Sequence, residues 1–330
     1  MIAQRRLGQS DIFFTPIAMG CWPITGITSI DVSESDSLAT LEAAFEAGIN
    51  CFDTAYCYGY AGESERMIAR ALGRVRDRIV IATKGGIHWD EQHKQVRDAR
   101  PATLKAQCDE SLRRLGTDRV ELYYLHAPDP QVPVAESAGA IKELITAGKV
   151  RCAGASNFTV EQLAEFHQVC PLSAYQPHFN MLQREIEDSQ LPWCREQGVS
   201  ALVYWPLMKG LLAGKLPREH VFAEMDGRRK YPMFSGDEFQ RNQDFIDKLR
   251  KLAMDIGKSV AEIVLNWTIQ RPGISAALCG AKRPQQIREN AATLSWSLSS
   301  EQIDLIDRWI VERGPTVSGM PTVMQPAKSS

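Results

Sequence analysis

The chain has 330 residues, of which 44% are hydrophobic and 24% are charged, and this ordinary globular composition excludes extensive disorder. Its 38 basic and 40 acidic residues leave a formal net charge of −2, so no bulk charge attracts nucleic acid or an anionic membrane. The N-terminus has no apolar core of signal-peptide length, and no stretch approaches the ~20 apolar residues of a membrane span. We therefore expect a cytoplasmic protein with neither partner.

The predicted elements begin with a hairpin over residues 1–14, because Gly8-Gln9-Ser10-Asp11 separates two apolar patches. From residue 15 onward, short apolar runs alternate with amphipathic segments. The predicted strands are Thr15–Gly20, Ile49–Asp53, Ile79–Lys84, Val120–His126, Val150–Ser156, Ala174–Gln176, Ser200–Tyr204 and Ala276–Gly280. The predicted helices between and after them are Ser35–Ala47, Glu63–Leu72, Pro101–Leu115, Val134–Ala147, Thr159–Val169, Ile186–Gln197, Ser259–Gln270 and Pro284–Ala292.

This alternation predicts a parallel sheet wrapped by helices. Eight strands favour a closed (β/α)8 barrel, the TIM-barrel fold, over an open sheet, and single barrels commonly reach this length. We therefore expect one domain over residues 1–330, with two extra helices at Asp237–Ile256 and Glu301–Val311. The segment 205–239 is too long for a simple connection, and the tail 314–330 is expected either to cross the substrate mouth or to lack order.

Three predicted strands end in ionisable side chains that would meet at one rim of the barrel. Asp53, Lys84 and His126 close the second, third and fourth strands, and Tyr58 lies in the loop after Asp53. Reduction of an aldehyde or ketone places negative charge on oxygen and requires a proton donor. Tyr58 could be this donor if the Lys84 ammonium lowers its pKa, with Asp53 orienting the lysine and His126 bonding the carbonyl oxygen. Taken alone, Asp53 and Tyr58 fit a helix cap and a partly buried loop tyrosine equally well.

Five motifs in order resemble those of the aldo-keto reductase family. They are FDTAYCYG with AGESE, a strand ending in TK, a strand ending in LH, GASNF, and GAKRPQQIREN, and the resemblance extends from Met19 to Asn290. It implies a catalytic tetrad of Asp53, Tyr58, Lys84 and His126. It also implies an oxidoreductase that transfers a hydride between NADP(H) and an aldehyde, ketone or sugar carbonyl or alcohol, with Tyr58 as general acid and base. Histidine in the last position resembles the reductases of the family and not its steroid double-bond reducers.

The family also leaves an alternative function open. One branch comprises potassium-channel beta subunits, which bind nicotinamide cofactor as regulatory partners, so a subunit with little turnover is the second candidate. The sequence does not fix the oligomeric state, and a monomer is compatible with it.

A cofactor site is expected at the barrel rim, because no G-x-G-x-x-G motif follows an early strand to indicate a Rossmann site. Barrels favour phosphate in the loops after strands seven and eight, here residues 205–215 and 281–283, and we expect residues 205–239 to fold over the cofactor. The resemblance implies these cofactor-binding residues: Gly20, Trp22, Asp53, Ser156, Asn157, Gln176, Tyr204, Trp205, Pro206, Leu207, Gly210, Leu211, Lys215, Arg228, Gly280, Ala281, Lys282, Gln286, Glu289 and Asn290.

Within that set the resemblance gives individual roles. Ser156, Asn157 and Gln176 would bind the nicotinamide amide, Tyr204 would stack on the nicotinamide ring, and Lys282 would meet the 2′-phosphate of NADPH, making NADH the less favoured cofactor. Each role has a structural alternative: a helix N-cap for the Ser156-Asn157 pair, core filling for Tyr204, and a solvated helix-end lysine for Lys282.

Two positions depart from the family pattern. Trp205 stands where relatives usually have serine, which removes a hydroxyl from the pyrophosphate region. Gln286 stands where many relatives have arginine, which weakens the argument for NADPH.

The expected substrate-binding residues are Trp22, Tyr58, Trp89 and His126, which suggest an apolar or sugar-stacking pocket. His88 and His93 flank Trp89 in a long polar loop, and we reject them as a metal pair because the sequence supplies no third ligand. The eight cysteines mostly lie in apolar runs and show no zinc spacing, so we expect buried thiols and no metal.

Overall fold

The computed structural model describes residues 3–27, 29–224, 226–314 and 316. Its strands are β1 (Arg5–Arg6), β2 (Phe13–Phe14), β3 (Ile17–Gly20), β4 (Cys51–Asp53), β5 (Val80–Gly85), β6 (Ile87–Trp89), β7 (Gln95–Arg97), β8 (Val120–Leu125), β9 (Val150–Ser156), β10 (Leu172–Gln176), β11 (Ser200–Tyr204) and β12 (Ile274–Gly280). Strands β3, β4, β5, β8, β9, β10, β11 and β12 pair in parallel in that order, and β12 pairs with β3 to close the barrel. The predicted (β/α)8 barrel is confirmed.

The helices alternate with the barrel strands as the sequence predicted. They are α1 (Glu34–Glu46), α2 (Glu63–Leu72), α3 (Pro101–Leu115), α4 (Val134–Thr146), α5 (Val160–Val169), α6 (Gln190–Gln197), α7 (Gly236–Ile256), α8 (Val260–Gln270), α9 (Pro284–Ala292) and α10 (Ser300–Arg313). Helices α7 and α10 are the two extra helices, and α7 buries Phe245, Leu249 and Leu252, the apolar face that its periodicity predicted. Within the described residues, no helix has the length and apolarity that crossing a membrane requires.

The N-terminal hairpin of β1 and β2 covers the N-terminal end of the barrel. The Gly8 N–H donates to Ser200 Oγ at the start of β11 (2.8 Å), and the Arg5 guanidinium donates to the Ile274 carbonyl at the start of β12 (2.8 Å). Phe14 is fully buried with the side chains that fill the barrel. Because this end is closed, the opposite end, where the strands finish, is left for the functional loops.

Alternate residues of the strands fill the barrel interior, as the two-residue period of a strand requires. The largest is Tyr124, which is 0% exposed. Its ring fits only because β9 has a glycine beside it: a Cβ on Gly154 would lie 2.3 Å from the ring. All eight cysteines lie in the described residues, and each is buried with a free thiol.

The structure corrects three boundaries. The polar loop expected after Lys84 contains an antiparallel hairpin of β6 and β7, which the short strands and intervening charges concealed. The sixth barrel helix, expected over 186–197, is a 3-10 turn at Glu185–Asp188 followed by α6. The long segment after β11 ends at residue 235, because α7 begins at Gly236. The predicted tail 314–330 lies, apart from residues 314 and 316, outside the described residues.

Candidate active site

Asp53, Lys84 and Tyr58 lie in contact at the C-terminal end of the barrel. Lys84 Nζ donates to Asp53 Oδ1 (2.6 Å) and to the Thr54 carbonyl (2.7 Å), and it lies 3.3 Å from Tyr58 Oη. Strand β4 pairs Asp53 with Ala82 of β5, so Lys84, two residues further on, points to the same face. The lysine and aspartate side chains are 0% and 3% exposed, whereas Tyr58 is only partly buried. The phenol is therefore the member of this cluster that a ligand can reach.

His126, directly after β8, stands beside Tyr58. The two ring centroids are 5.9 Å apart, and His126 Nδ1 lies 3.6 Å from Cys57 Sγ. Asn157 Nδ2 donates to the His126 carbonyl (3.0 Å). The structure thus brings together all four residues of the predicted tetrad.

The electrostatics of the tetrad differ from the expectation in one respect. Burial, and then the charge of Asp53, raise the pKa of Tyr58 well above its ordinary value, whereas Lys84 was expected to lower it. The positive charge of Lys84 has little net electrostatic effect on the phenol, because the Asp53 carboxylate, 2.6 Å from the ammonium, offsets it. Burial, and then the charge of Lys84, lower the pKa of His126 well below 6.5. At neutral pH the site therefore presents a protonated phenol and a neutral imidazole, both of which can donate a proton or hydrogen bond.

The predicted substrate residues form an aromatic wall around Tyr58. Trp22 lies edge-on to Tyr58 (5.0 Å between ring centroids) and stacks with Trp89 (6.4 Å). The Trp89 indole N–H donates to the carbonyls of Cys57 and Gly59 at 2.8 and 3.1 Å. Trp89 is thereby fixed by the same loop that carries Tyr58, and the pocket is rigid on this side.

A second group of polar side chains continues from Asp53 around the rim. Gln176 Nε2 donates to Asp53 Oδ2 (2.7 Å), and Ser156 Oγ donates to the Gln176 carbonyl (2.8 Å). Tyr204 Oη donates to Asn157 Oδ1 (2.7 Å). The residues predicted to meet the nicotinamide thus form a connected patch next to the tetrad.

The alternative role of Ser156 and Asn157 as the N-cap of α5 is wrong. Thr159 caps this helix, since its side chain accepts from the Gln162 N–H and Gln162 reciprocates in a capping box. Asn157 instead has φ of +64°, a left-handed conformation that asparagine tolerates better than most residues. Its side chain therefore bonds the His126 carbonyl and the Tyr204 hydroxyl and does not cap the helix.

The loop after β11 holds a strained turn around a desolvated lysine. Trp205, Met208 and Lys209 have φ of +59°, +47° and +55°, and strained backbone of this kind clusters at functional sites. Lys209 Nζ lies 3.8 Å from the Trp205 ring centroid and 4.6 Å from that of Tyr231. Burial, with the charges of Lys230 and Arg228, lowers its pKa to about 7. Within the described part of the chain no carboxylate pairs with this ammonium.

Lys282 lies where the loops after β3 and β12 meet. Its Nζ donates to the Ile30 carbonyl (3.1 Å), and the neighbouring Arg283 donates to the Asp31 carbonyl (2.7 Å) and pairs with Asp36 (3.0 Å). The Gln286 amide oxygen accepts from the Lys282 N–H (2.8 Å), so this side chain caps α9. Among the described residues, Lys282 Nζ is therefore bound to a backbone oxygen and to no carboxylate, whereas Arg283 is paired with Asp36.

The remaining predicted cofactor residues fall into four groups. Gly20 and Gly280 pair in neighbouring strands, and a Cβ on Gly280 would lie 2.6 Å from Pro23, so only glycine fits there. Two cations are already paired with acids: Lys215 with Glu289, and Arg228 with Asp226. Four residues are buried: Pro206, Leu211, Ala281 and Asn290. The first three can contact a cofactor mainly through backbone groups, and Asn290 can also use its side-chain amide. Leu207 and Gly210 are partly buried in the strained turn.

The family of the chain follows from comparison with known proteins. A model of the aldo/keto reductase family matches residues 16–310, which include every barrel strand and the tetrad. The chain belongs to the aldo/keto reductase family. It is thus an oxidoreductase of a family that binds nicotinamide cofactors and small carbonyl substrates.

Individual relatives cover nearly the whole barrel. The aldo-keto reductase YhdN of Bacillus subtilis is 38% identical over 288 residues, 86% of each chain. The NADH-specific methylglyoxal reductase of Escherichia coli is 29% identical over 315 residues, 91% of this chain and 96% of the relative. Among solved structures, a glycerol dehydrogenase from Gluconobacter oxydans is 34% identical, with a TM-score of 0.88, and covers 97% of this chain and 98% of its own.

Sequence reasoning missed Lys209 as a candidate. It named Lys215 and Arg228 from the same loop, yet both are paired with acids. The available signal was the run Trp205-Pro206-Leu207-Met208-Lys209-Gly210, which places a lysine in the tight turn directly after Tyr204. Its desolvation depends on Tyr231, a residue 22 positions further on, and so required the fold.

Proposed function

We propose that this aldo/keto reductase interconverts small aldehydes, ketones or sugar carbonyls with the corresponding alcohols, using NADP(H) and Tyr58 as the general acid and base. The observation that carries the proposal is the contact of Lys84 Nζ with both Asp53 and Tyr58, beside a neutral His126. When bound, the reduced nicotinamide supplies the hydride. Tyr58 Oη donates its proton to the carbonyl oxygen, on which negative charge develops as reduction proceeds.

Each of the other tetrad residues has a defined task in this step. Lys84 stabilises the phenolate that Tyr58 becomes, because its Nζ donates to the phenolic oxygen at 3.3 Å. Asp53 holds Lys84 in place at 2.6 Å. His126 donates a hydrogen bond to the carbonyl oxygen and directs it towards Tyr58. In the reverse direction the phenolate accepts the alcohol proton, by microscopic reversibility.

The cofactor's anionic groups fit the cations of the strand-seven and strand-eight loops. Lys209 has no acidic partner among the described residues and lies in a partly desolvated turn, so a pyrophosphate there would restore its charge. Trp205, which replaces the hydroxyl residue usual in relatives, contacts this ammonium with its ring. We assign the pyrophosphate to Lys209, the nicotinamide amide to Ser156, Asn157 and Gln176, and the covering role to the loop 205–235.

Lys282 carries the preference for NADPH. Among the described residues, its ammonium has one hydrogen bond, to the Ile30 carbonyl, and phosphates in barrels bind at the loop it occupies. The E. coli relative is named as NADH-specific, so the choice between the two cofactors rests on this side chain and not on family membership.

The pocket favours a small polar substrate. Trp22 and Trp89 provide flat apolar faces beside Tyr58 and His126, an arrangement that suits the carbon–hydrogen face of a hydroxylated carbonyl compound. The similarity to a glycerol dehydrogenase over 97% of the chain supports short polyols and hydroxyaldehydes as the first compounds to test. We further propose that the hairpin, barrel and extra helices form one domain over residues 1–330.

A kinetic screen in both directions tests the proposal. NADPH oxidation is followed with a panel of aldehydes, ketones and aldoses, and NADP+ reduction with glycerol and other polyols. We expect steady turnover with at least one short hydroxylated compound. Tight cofactor binding without turnover on any of them would favour the regulatory-subunit alternative and contradict the proposal.

A further inference from the structure

Cys57 makes a polar side-chain contact with the His126 ring, in addition to the ring contact of Tyr58. Its Sγ lies 3.6 Å from His126 Nδ1, within hydrogen-bonding range for sulfur. Cys57 is 1% exposed and its carbonyl also accepts from the Trp89 indole (2.8 Å), so its position is fixed. Among the described side chains, no other polar atom hydrogen-bonds the imidazole.

The thiol is able to donate in this contact. Burial raises the pKa of Cys57 to about 12, so sulfur keeps its proton at any physiological pH. His126 is neutral for the reason given above and has a single N–H. In a neutral imidazole, the hydrogen bond made by one ring nitrogen sets which nitrogen carries the proton. If Nδ1 accepts from the thiol, the proton is on Nε2.

We propose that Cys57 is a positioning residue that holds His126 in the Nε2–H tautomer, leaving that N–H free for the substrate carbonyl. The opposite tautomer would turn a nitrogen lone pair towards the carbonyl oxygen, where two lone pairs repel. Only the Nε2–H form can then direct the carbonyl towards Tyr58. The effect on catalysis rests on the proposed function, but the assignment of the Nε2–H tautomer does not.

Nitrogen-15 NMR of protein labelled at histidine measures the tautomer directly, without cofactor or turnover. The chain has six histidines, and His126→Asn identifies the signals of His126. At neutral pH we expect a protonated Nε2 and an unprotonated, acceptor-type Nδ1 in the unmodified protein. In Cys57→Ala both signals should move towards the average of the two tautomers. In Cys57→Ser, where a hydroxyl can still donate, they should return towards the wild-type values.

The kinetic counterpart separates positioning from a structural effect. Cys57→Ala should lower kcat about two- to tenfold, as expected for one weak neutral hydrogen bond, with cofactor affinity unchanged. Cys57→Ser should recover most of the loss. Cys194→Ala truncates another fully buried thiol, on α6, and should change neither the His126 signals nor kcat. A proton on Nδ1 in the unmodified protein, or identical His126 signals in Cys57→Ala, would overturn the inference even if the enzyme is an active reductase.

Discussion

Replacement of Lys209 by methionine should weaken NADPH and NADH alike, because the pyrophosphate assigned to it is common to both. Methionine keeps the apolar contacts with Trp205 and Tyr231 and removes only the charge. A hydrogen bond to a charged group is worth about 1.5–3 kcal/mol, which corresponds to a loss of about ten- to a hundredfold in affinity. Fluorescence titration of both cofactors measures the effect.

The pH dependence of the same titration provides a sharper signature. The lysine must be protonated to bind an anion, and its pKa in the free protein is about 7. Cofactor affinity should therefore be full below pH 7 and should fall as pH rises through 8, since binding then requires uptake of a proton. Lys209→Met should lack this fall. Arg229→Met removes an exposed cation of the same loop whose charge is not among those that lower the pKa of Lys209, so it should retain the fall and is the matched control.

Two results would refute this account of Lys209. One is an affinity loss confined to NADPH, which would place the side chain at the 2′-phosphate. The other is an unchanged pH profile in Lys209→Met, which would mean that the titrating group lies elsewhere.

The remaining predictions concern cofactor choice and stability. Lys282→Ala should weaken the binding of NADPH about ten- to a hundredfold and leave that of NADH nearly unchanged, because charge-assisted bonds to phosphate are worth about 1.5–3 kcal/mol. Fluorescence titrations at low and high salt measure both affinities. An equal loss for the two cofactors would mean that Lys282 is a solvated helix-end lysine. Glu65→Ala should lower the free energy of unfolding by about 1.5–3 kcal/mol, because it removes one of the two carboxylates that bind the buried Arg114 guanidinium, at 3.2 Å, and leaves Glu110 as the other. In urea unfolding, Glu143→Ala should lower the free energy of unfolding by less than about 1 kcal/mol, because it breaks a solvated ion pair with Lys105. Equal losses of unfolding free energy in the two variants would contradict the argument from burial.

The fold could be predicted from the sequence because its strands and helices carry strong local periodicity. The eight barrel strands were all found, and the apolar face of α7 was read correctly from Phe245, Leu249 and Leu252. The β6–β7 hairpin could not be read, because strands of three residues with a lysine, glutamine and glutamate between them carry no clear alternation. Helix α6 begins late because the preceding turn is 3-10, a difference set by packing and not by composition.

The site was predictable where its residues end strands, and not where contacts depend on distant segments. Asp53, Lys84 and His126 each close a strand, so a closed barrel brings them together. The shift in the pKa of Tyr58 was predicted with the wrong sign, because the sequence shows neither the burial of the phenol nor the effect of the Asp53 charge on it. The pKa of Lys209 depends on burial, and then on the charges of Lys230 and Arg228, which only the folded loop brings together.

The measurement that tests the central claim most directly is the turnover of Tyr58→Phe. The variant removes only the phenolic oxygen that lies 3.3 Å from Lys84, and the ring contacts with Trp22 and His126 remain possible. General acid catalysis contributes about 10²–10⁴-fold, so kcat on the best substrate should fall by that factor while NADPH affinity stays within about twofold of wild type. A Tyr58→Phe enzyme that turns over its substrate at nearly the wild-type rate would mean that the proton comes from another group, and the assignment of this site would be wrong.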